Sequence, residues 1–224
     1  MHRRIAALLA TMALAMLLAT GMASAVTKIG TDGPDTLQGT NQDDTLIGKG
    51  GQDDIFGWGG RDTLLGGKGK DNVFGGTVRR ARGGEKTLLG GEGNDLVLGG
   101  LDSDTLKGDS GNDWVDGDPD SDNLLGGNGN DYVADGESEG GVTDTLEGGD
   151  SNDVVDAINK PAHRDVLECG GGFDRAFTDK KDLVAPDCEK VAVGLAAVRE
   201  LDQRLIESGY FQRLFEGLPP APEG

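Results

Sequence analysis

Gly57-Trp58-Gly59-Gly60-Arg61-Asp62-Thr63-Leu64-Leu65 runs directly into Gly66-Gly67-Lys68-Gly69-Lys70-Asp71-Asn72-Val73-Phe74. Each nonapeptide opens with Gly, places Asp sixth and an apolar residue eighth. Followed outward from this pair, the period holds for fifteen turns between Gly30 and Phe177. The sixth residues are Asp35, Asp44, Asp53, Asp62, Asp71, Lys86, Asp95, Asp104, Asp113, Asp122, Asp131, Asp144, Asp153, Asp165 and Asp174. The eighth residues are Leu37, Leu46, Ile55, Leu64, Val73, Leu88, Val97, Leu106, Val115, Leu124, Val133, Leu146, Val155, Leu167 and Ala176. An isolated Asp beside Gly is ordinary turn chemistry. Fourteen in register with an unbroken apolar column are the mark of a solenoid.

Gly90-Gly91-Glu92-Gly93-Asn94-Asp95-Leu96-Val97-Leu98 and Gly126-Gly127-Asn128-Gly129-Asn130-Asp131-Tyr132-Val133-Ala134 carry the pattern Gly-Gly-x-Gly-x-Asp-x-U-x, where U is a large apolar residue. In this the chain resembles the hemolysin-type calcium-binding repeat, the RTX nonapeptide family. The resemblance implies an all-β fold, a right-handed parallel β-roll of about fifteen nonapeptide turns. In such a roll six residues make a turn, three make a short strand, and two repeats close one coil. It also implies several Ca²⁺ ions as the cofactor, with the fourteen sixth-position Asp residues as ligands. The residue types suit that chemistry. Glycine permits backbone angles closed to other residues. Ca²⁺ takes six to eight oxygens, which carboxylates and crowded carbonyls supply. Without a cation, rows of stacked carboxylates repel one another, so folding is expected to depend on calcium.

The columns also carry a period of eighteen. After the first turn, the eighth residue is Leu in every even turn and Ile, Val or Ala in every odd one. Odd turns are therefore expected to form one sheet and even turns the other. The core would be Leu46, Leu64, Leu88, Leu106, Leu124, Leu146 and Leu167 facing Ile55, Val73, Val97, Val115, Val133 and Val155. The two edges differ. Odd turns keep the full loop at Asp71, Asp95, Asp113 and Asp131, whereas even turns lose the fourth-position Gly at Gln42 and Asp102. All three insertions (around Val78 to Arg82, Glu137 to Gly140, and Asn159 to Arg164) fall on even turns. Lys86 lies on that edge too, where its ammonium would stand in for a calcium ion between the Asp62 and Asp104 loops. A regular, well-occupied odd edge and a broken even edge are expected.

The rest of the chain sets the context. Arg3 and Arg4, the apolar run Ile5 to Leu18, and Ala23-Ser24-Ala25 read as a signal peptide over 1–25. That implies a secreted, extracellular protein with no transmembrane segment once the leader is removed. The roll spans 26–191, a helical cap 192–217 and a disordered tail 218–224. The cap rests on Leu195, Val198, Leu201 and Leu205 at helical spacing, closed by Gly209. Cys169 and Cys188 are expected to form one disulfide in an oxidising compartment. The net charge is −19 over 224 residues, and −21 once Arg3 and Arg4 leave with the leader. Such a chain repels phosphate, so a nucleic-acid partner is excluded.

Outward strand positions are apolar at Ile47, Leu65 and Leu89 and at Phe56, Phe74 and Leu98, a surface suited to a cell-surface or extracellular protein partner. His163 reads as a solvated loop residue, and no Ser has a base beside it, so no catalytic group is assigned. The reading is a secreted calcium-binding repeat protein with a binding or structural role, not an enzyme. The alternatives are a calcium-dependent extracellular hydrolase or epimerase, or its accessory module, and a self-associating adhesin-like spacer.

Overall fold

Apolar residues spaced nine apart can share one interior only if the chain doubles back every nine residues. A computed structural model, describing residues 24–76, 86–136, 142–159 and 162–194, shows that it does. Eighteen strands alternate between two nine-stranded sheets. The first sheet holds β1 (Thr27–Ile29), β3 (Thr45–Gly50), β5 (Thr63–Lys68), β7 (Thr87–Glu92), β9 (Thr105–Ser110), β11 (Asn123–Asn128), β13 (Thr145–Asp150), β15 (Val166–Gly171) and β17 (Leu183–Val184). The second holds β2 (Thr36–Gln38), β4 (Asp54–Phe56), β6 (Asn72–Phe74), β8 (Leu96–Leu98), β10 (Trp114–Asp116), β12 (Tyr132–Ala134), β14 (Val154–Ala157), β16 (Arg175–Thr178) and β18 (Lys190–Val193). Every strand but the four at the sheet edges pairs in parallel with the strands two before and two after it, which is the parallel β-roll.

The core follows the eighth-position column. Leu46 pairs with Leu64, Leu64 with Leu88, and Leu106 with Leu124 in one sheet. Ile55 pairs with Val73, and Val97 with Val115, in the other. All thirteen residues expected in the core have no solvent exposure. Leu124 pairs with Leu146 and Val133 with Val155, so the insertion between β12 and β13 leaves the register intact. The residues on either side of each core position point outward. Thr45, Thr63, Thr87 and Thr105 stand in one register on the first sheet, and Phe56 stacks on Phe74 at 5.1 Å on the second.

The periodic turns supply β2 to β16, the fifteen strands expected. The total is larger because β1, β17 and β18 extend the sheets beyond the repeat pattern. Ala192 and Val193, assigned by sequence to the helical cap, belong to β18. Residues 1–23 of the expected leader 1–25, the helix pattern after Gly194 and the tail 218–224 lie outside the described residues, as do 77–85 and 137–141. Among the described residues no helix is long and apolar enough to cross a membrane.

Glycine is required for two different reasons. The second and fourth positions take left-handed backbone angles, as at Gly67 (φ 120°) and Gly69 (φ 134°). Lys49, Trp58, Asp109 and Asp118 adopt the same region at the second position without glycine's freedom. First-position glycines have ordinary angles, but an added Cβ at Gly48 would lie 2.2 Å from Asp53 Oδ2 and 2.5 Å from the Gly66 carbonyl oxygen. There the constraint is closeness rather than conformation.

Candidate metal centre

Each sixth-position residue immediately precedes a strand, and its backbone is tied to the next coil. The N–H of Asp44 donates to Asp62 Oδ1 at 2.9 Å, and its carbonyl accepts from the N–H of Thr63 at 2.9 Å. Repetition makes two carboxylate ladders. On the odd edge the N–H groups of Asp35, Asp53, Asp71, Asp95, Asp113, Asp131 and Asp153 donate in turn to Oδ1 of Asp53, Asp71, Asp95, Asp113, Asp131, Asp153 and Asp174. On the even edge the Lys86 N–H donates to Asp104, that of Asp104 to Asp122, that of Asp122 to Asp144, and that of Asp144 to Asp165. Thirteen of the fourteen sixth-position Asp residues are buried, and Asp35, in the first repeat, is half-buried.

One oxygen of each carboxylate is thus consumed by the backbone. The other, Oδ2, is buried without a hydrogen-bond partner at Asp53, Asp62, Asp71, Asp95, Asp104, Asp113, Asp122, Asp131, Asp144, Asp153 and Asp174. Three differ: Thr31 donates to Asp35 Oδ2, Thr40 to Asp44 Oδ2, and Asn159 to Asp165 Oδ2. A buried anionic oxygen with no donor is costly. The carboxyl groups show that cost. Burial pushes Asp95 up to about 7 and Asp113 up to about 8 against the opposing N–H bonds, and the stacked carboxylates add to the rise. Asp71 and Asp131 are raised to about 6 and Asp153 to about 7, in each case chiefly by burial. Asp53 and Asp174 are raised for the same reason. A divalent cation is the ligand such oxygens suit, because it answers charge and desolvation together.

Lys86 occupies its rung as its sequence position suggested. Its side chain is buried, its ammonium donates to the Leu101 carbonyl at 3.2 Å, and Asp104 Oδ1 lies 3.9 Å away. Its charge opposes the rise of both Asp62 and Asp104, which burial lifts only to about 6. Asp122, one coil beyond, is raised to about 9 by burial and the flanking carboxylates.

The structure adds carboxylates that the period does not mark. Asp174 N–H donates to Glu189 Oε2 at 2.8 Å and Asp165 N–H to Asp182 Oδ1 at 3.2 Å, so both ladders run one rung further. The signal was present as acid–x–apolar at Asp182-Leu183-Val184 and Glu189-Lys190-Val191, without the glycines. Asp135, at a first position normally held by Gly, is buried with Oδ2 unpartnered. Burial pushes it up to about 9, helped by Asp165, Asp144 and Asp156. His163 is not a solvated loop residue: it is 7% exposed, and its Nδ1 has no partner among the described residues. Asn159 and His163, both from the last insertion, are buried, and Asn159 bonds to Asp165 on the even edge. Cys169 and Cys188 form the expected disulfide, with Cα atoms 5.1 Å apart, joining β15 to the segment before β18.

A family model described as the RTX calcium-binding nonapeptide repeat (4 copies) matches residues 29–64, 59–77, 87–106, 98–133 and 140–157. Together these segments span just over half of the 224 residues. No curated protein matches the chain.

Proposed function

The chain belongs to the RTX calcium-binding nonapeptide repeat family, and from that premise we propose that it is a secreted, calcium-stabilised β-roll with a binding or structural role and no catalytic activity. The observation that carries this reading is the row of buried, unpartnered Oδ2 atoms along each edge. Asp53, Asp71, Asp95, Asp113, Asp131 and Asp153 would hold calcium along the odd edge, with backbone carbonyls completing each shell. Asp62, Asp104, Asp122 and Asp144 would do so on the even edge, interrupted at Lys86. Bound calcium supplies the positive charge that the stacked carboxylates lack. The protein's own residues do the rest: N–H bonds aim Oδ1, first-position glycines leave room beside Oδ2 of residues such as Asp53, Asp71, Asp95 and Asp113, and the Leu and Val column keeps the rungs in register.

Extracellular calcium modules bind at about 10⁻⁴–10⁻³ M, which suits an ion that folds the chain after export. The Arg3-Arg4 leader pattern and the Cys169–Cys188 disulfide both favour export. The outward rows that contain Phe56 and Phe74 are the surface we assign to an extracellular protein partner. Equilibrium dialysis together with far-UV circular dichroism tests the proposal. Several ions should bind per chain between about 0.1 and 10 mM calcium as β signal appears. A chain with the same spectrum in chelator and in calcium, taking up no ions, would refute it.

A further inference from the structure

The fifth-position amides of the odd turns form a ladder through Asn112, Asn130 and Asn152 that stops at Phe173, whose N–H donates to Asn152 Oδ1 at 2.9 Å. Where another Asn would continue the ladder, the chain sets an aromatic ring that is 49% exposed. An open pocket of about 350 Å³ lies against this ring, lined also by Asn130, Asn152, Asp153, Val154 and Arg175. That is the size of a small-molecule site.

The charge around this pocket is unlike that of the rest of the chain. Arg175 and Lys190 are exposed partners on the neighbouring strands β16 and β18. Like charges side by side on a sheet are destabilising. Among the described residues neither forms an ion pair. Lys190 Nζ stands 4.9 Å from the centre of the Phe173 ring, so both cations border the same space. The Asp153 carboxylate is withdrawn into the odd-edge ladder, 1% exposed and with Oδ1 holding the Asp131 N–H. In a chain of net charge −19, two unanswered cations beside a pocket mark a place for an anion.

The hydrogen-bonding groups narrow the choice. The Oδ1 atoms of Asn130 and Asn152 already accept the N–H groups of Asn152 and Phe173. Each Nδ2 spends one hydrogen on the preceding rung and keeps a second. Arg and Lys only donate. The side chains on offer are therefore donors, and the occupant must bring acceptors. A sugar hydroxyl rotates to present its lone pairs, whereas a peptide N–H cannot. A sugar ring also has an apolar face to lay on Phe173.

We infer that this pocket binds an acidic sugar, its carboxylate between Arg175 and Lys190, its ring on Phe173 and its hydroxyl oxygens on the two carboxamides. The sugar is a terminal unit with a single acid, as on a cell-surface glycan. A densely charged polymer would lay further carboxylates against an acidic chain, but one carboxylate is screened from charges more than about 8 Å away at physiological salt. The site gives the binding role proposed above a ligand. It rests on that reading only for the folded roll.

The test is a ligand-observed NMR titration of the calcium-loaded full chain at physiological salt with 3′-sialyllactose, methyl glucuronide, neutral lactose and a short glutamate peptide. At least one acidic sugar should bind more tightly than lactose by about tenfold or more, and the tighter of the two names the acid. Arg175→Gln should reduce it to the level of lactose, and Phe173→Ala should weaken it by about threefold or more. Variants are compared at equal β signal in circular dichroism, so loss of binding is not loss of fold, and calcium uptake is read separately by dialysis. The assignment is overturned if neither acidic sugar binds more tightly than lactose, or if the glutamate peptide binds as tightly as the better of them. It is also overturned if Arg175→Gln binds like the wild type, because a sugar bridged to the ladder by calcium would not feel that change.

Discussion

Replacing Lys86 with Met should cost the calcium-loaded roll about 4 kcal/mol. Asp104 and Asp122 occupy equivalent rungs and are 3% and 4% exposed. Burial raises both, yet Asp104, facing the Lys86 ammonium, reaches about 6, while Asp122, flanked only by carboxylates, reaches about 9. The direction of that difference fits an ammonium facing Asp104, and the loss of about 4 kcal/mol is the middle of the roughly 3–5 kcal/mol lost when one partner of a buried ion pair is removed. With a urea slope of about 2 kcal/mol/M, the unfolding midpoint at 10 mM calcium should fall by roughly 2 M. Lys86→Asp behaves differently. It restores the repeat's own residue, so it should bind one more calcium ion than the wild type and regain most of the lost midpoint at 10 mM calcium. Well below 1 mM it should be the least stable of the three, because a further carboxylate then has no counter-ion. If the Met variant melts with the wild type, and the Asp variant shows unchanged stoichiometry, then Lys86 does not take the place of a cation.

Acid should substitute in part for calcium. Asp71, Asp95, Asp113 and Asp122 have ordinary values near 3.8 in the unfolded chain and values of about 6–9 in the metal-free roll. Folding without metal therefore takes up protons. Stability is greatest below the unfolded value and is lost as pH rises through 6–9. In chelator the β signal should be stronger at pH 5 than at pH 8.5, and circular dichroism showing the reverse would contradict the ladder electrostatics. Gly69→Ala should destabilise severely, since its Cβ would lie 1.5 Å from the Gly51 carbonyl oxygen at φ 134°. Gly33→Ala, whose nearest neighbour is Thr31 Oγ1 at 3.8 Å, should melt like the wild type. Cys169→Ser with Cys188→Ser should lower stability by about 3 kcal/mol in urea titrations at saturating calcium.

Most of the fold was legible because a solenoid writes its three-dimensional contacts into a fixed sequence spacing. The eighteen-residue alternation of Leu with Ile and Val assigned each turn to its sheet, and residues such as Leu106 and Val115 are fully buried where that alternation put them. The ladder Asp residues were legible for the same reason. What failed to register was whatever leaves the period. Asp135 stands at a glycine position, and Asn159 and His163 belong to an insertion of irregular length. Their burial is decided by how that segment packs on the edge. Asp182 and Glu189 lost the glycines that mark a repeat but kept the backbone geometry that receives an N–H. For the first-position glycine, sequence shows that a side chain is missing without showing whether angle or space excludes it, and the structure shows that it is space.

The difference between the two edges follows from how far the strands run. In the first sheet each full strand continues past the core residue into the first three positions of the next, odd, turn, so that Gly67 pairs with Gly91 and Lys68 with Glu92. Strands of the second sheet stop at or just after the ninth position, and even turns begin almost unpaired. An insertion in the first three positions of an odd turn would sever a ladder that runs from β3 to β15. An insertion in an even turn interrupts no inter-strand pairing, and loops outside the pairing are where added length is tolerated. The fifth-position amides reinforce the contrast. Asn94, Asn112, Asn130 and Asn152 each accept an N–H from the next odd turn, a side-chain ladder that also demands constant loop length. The odd edge is therefore held to one repeated loop and one repeated ligand set. The even edge is free to exchange a carboxylate for the Lys86 ammonium, or a glycine for Asp135, and to bring Asn159 in from an insertion. Departures from the repeat collect on that edge because the backbone there has the fewest bonds to lose.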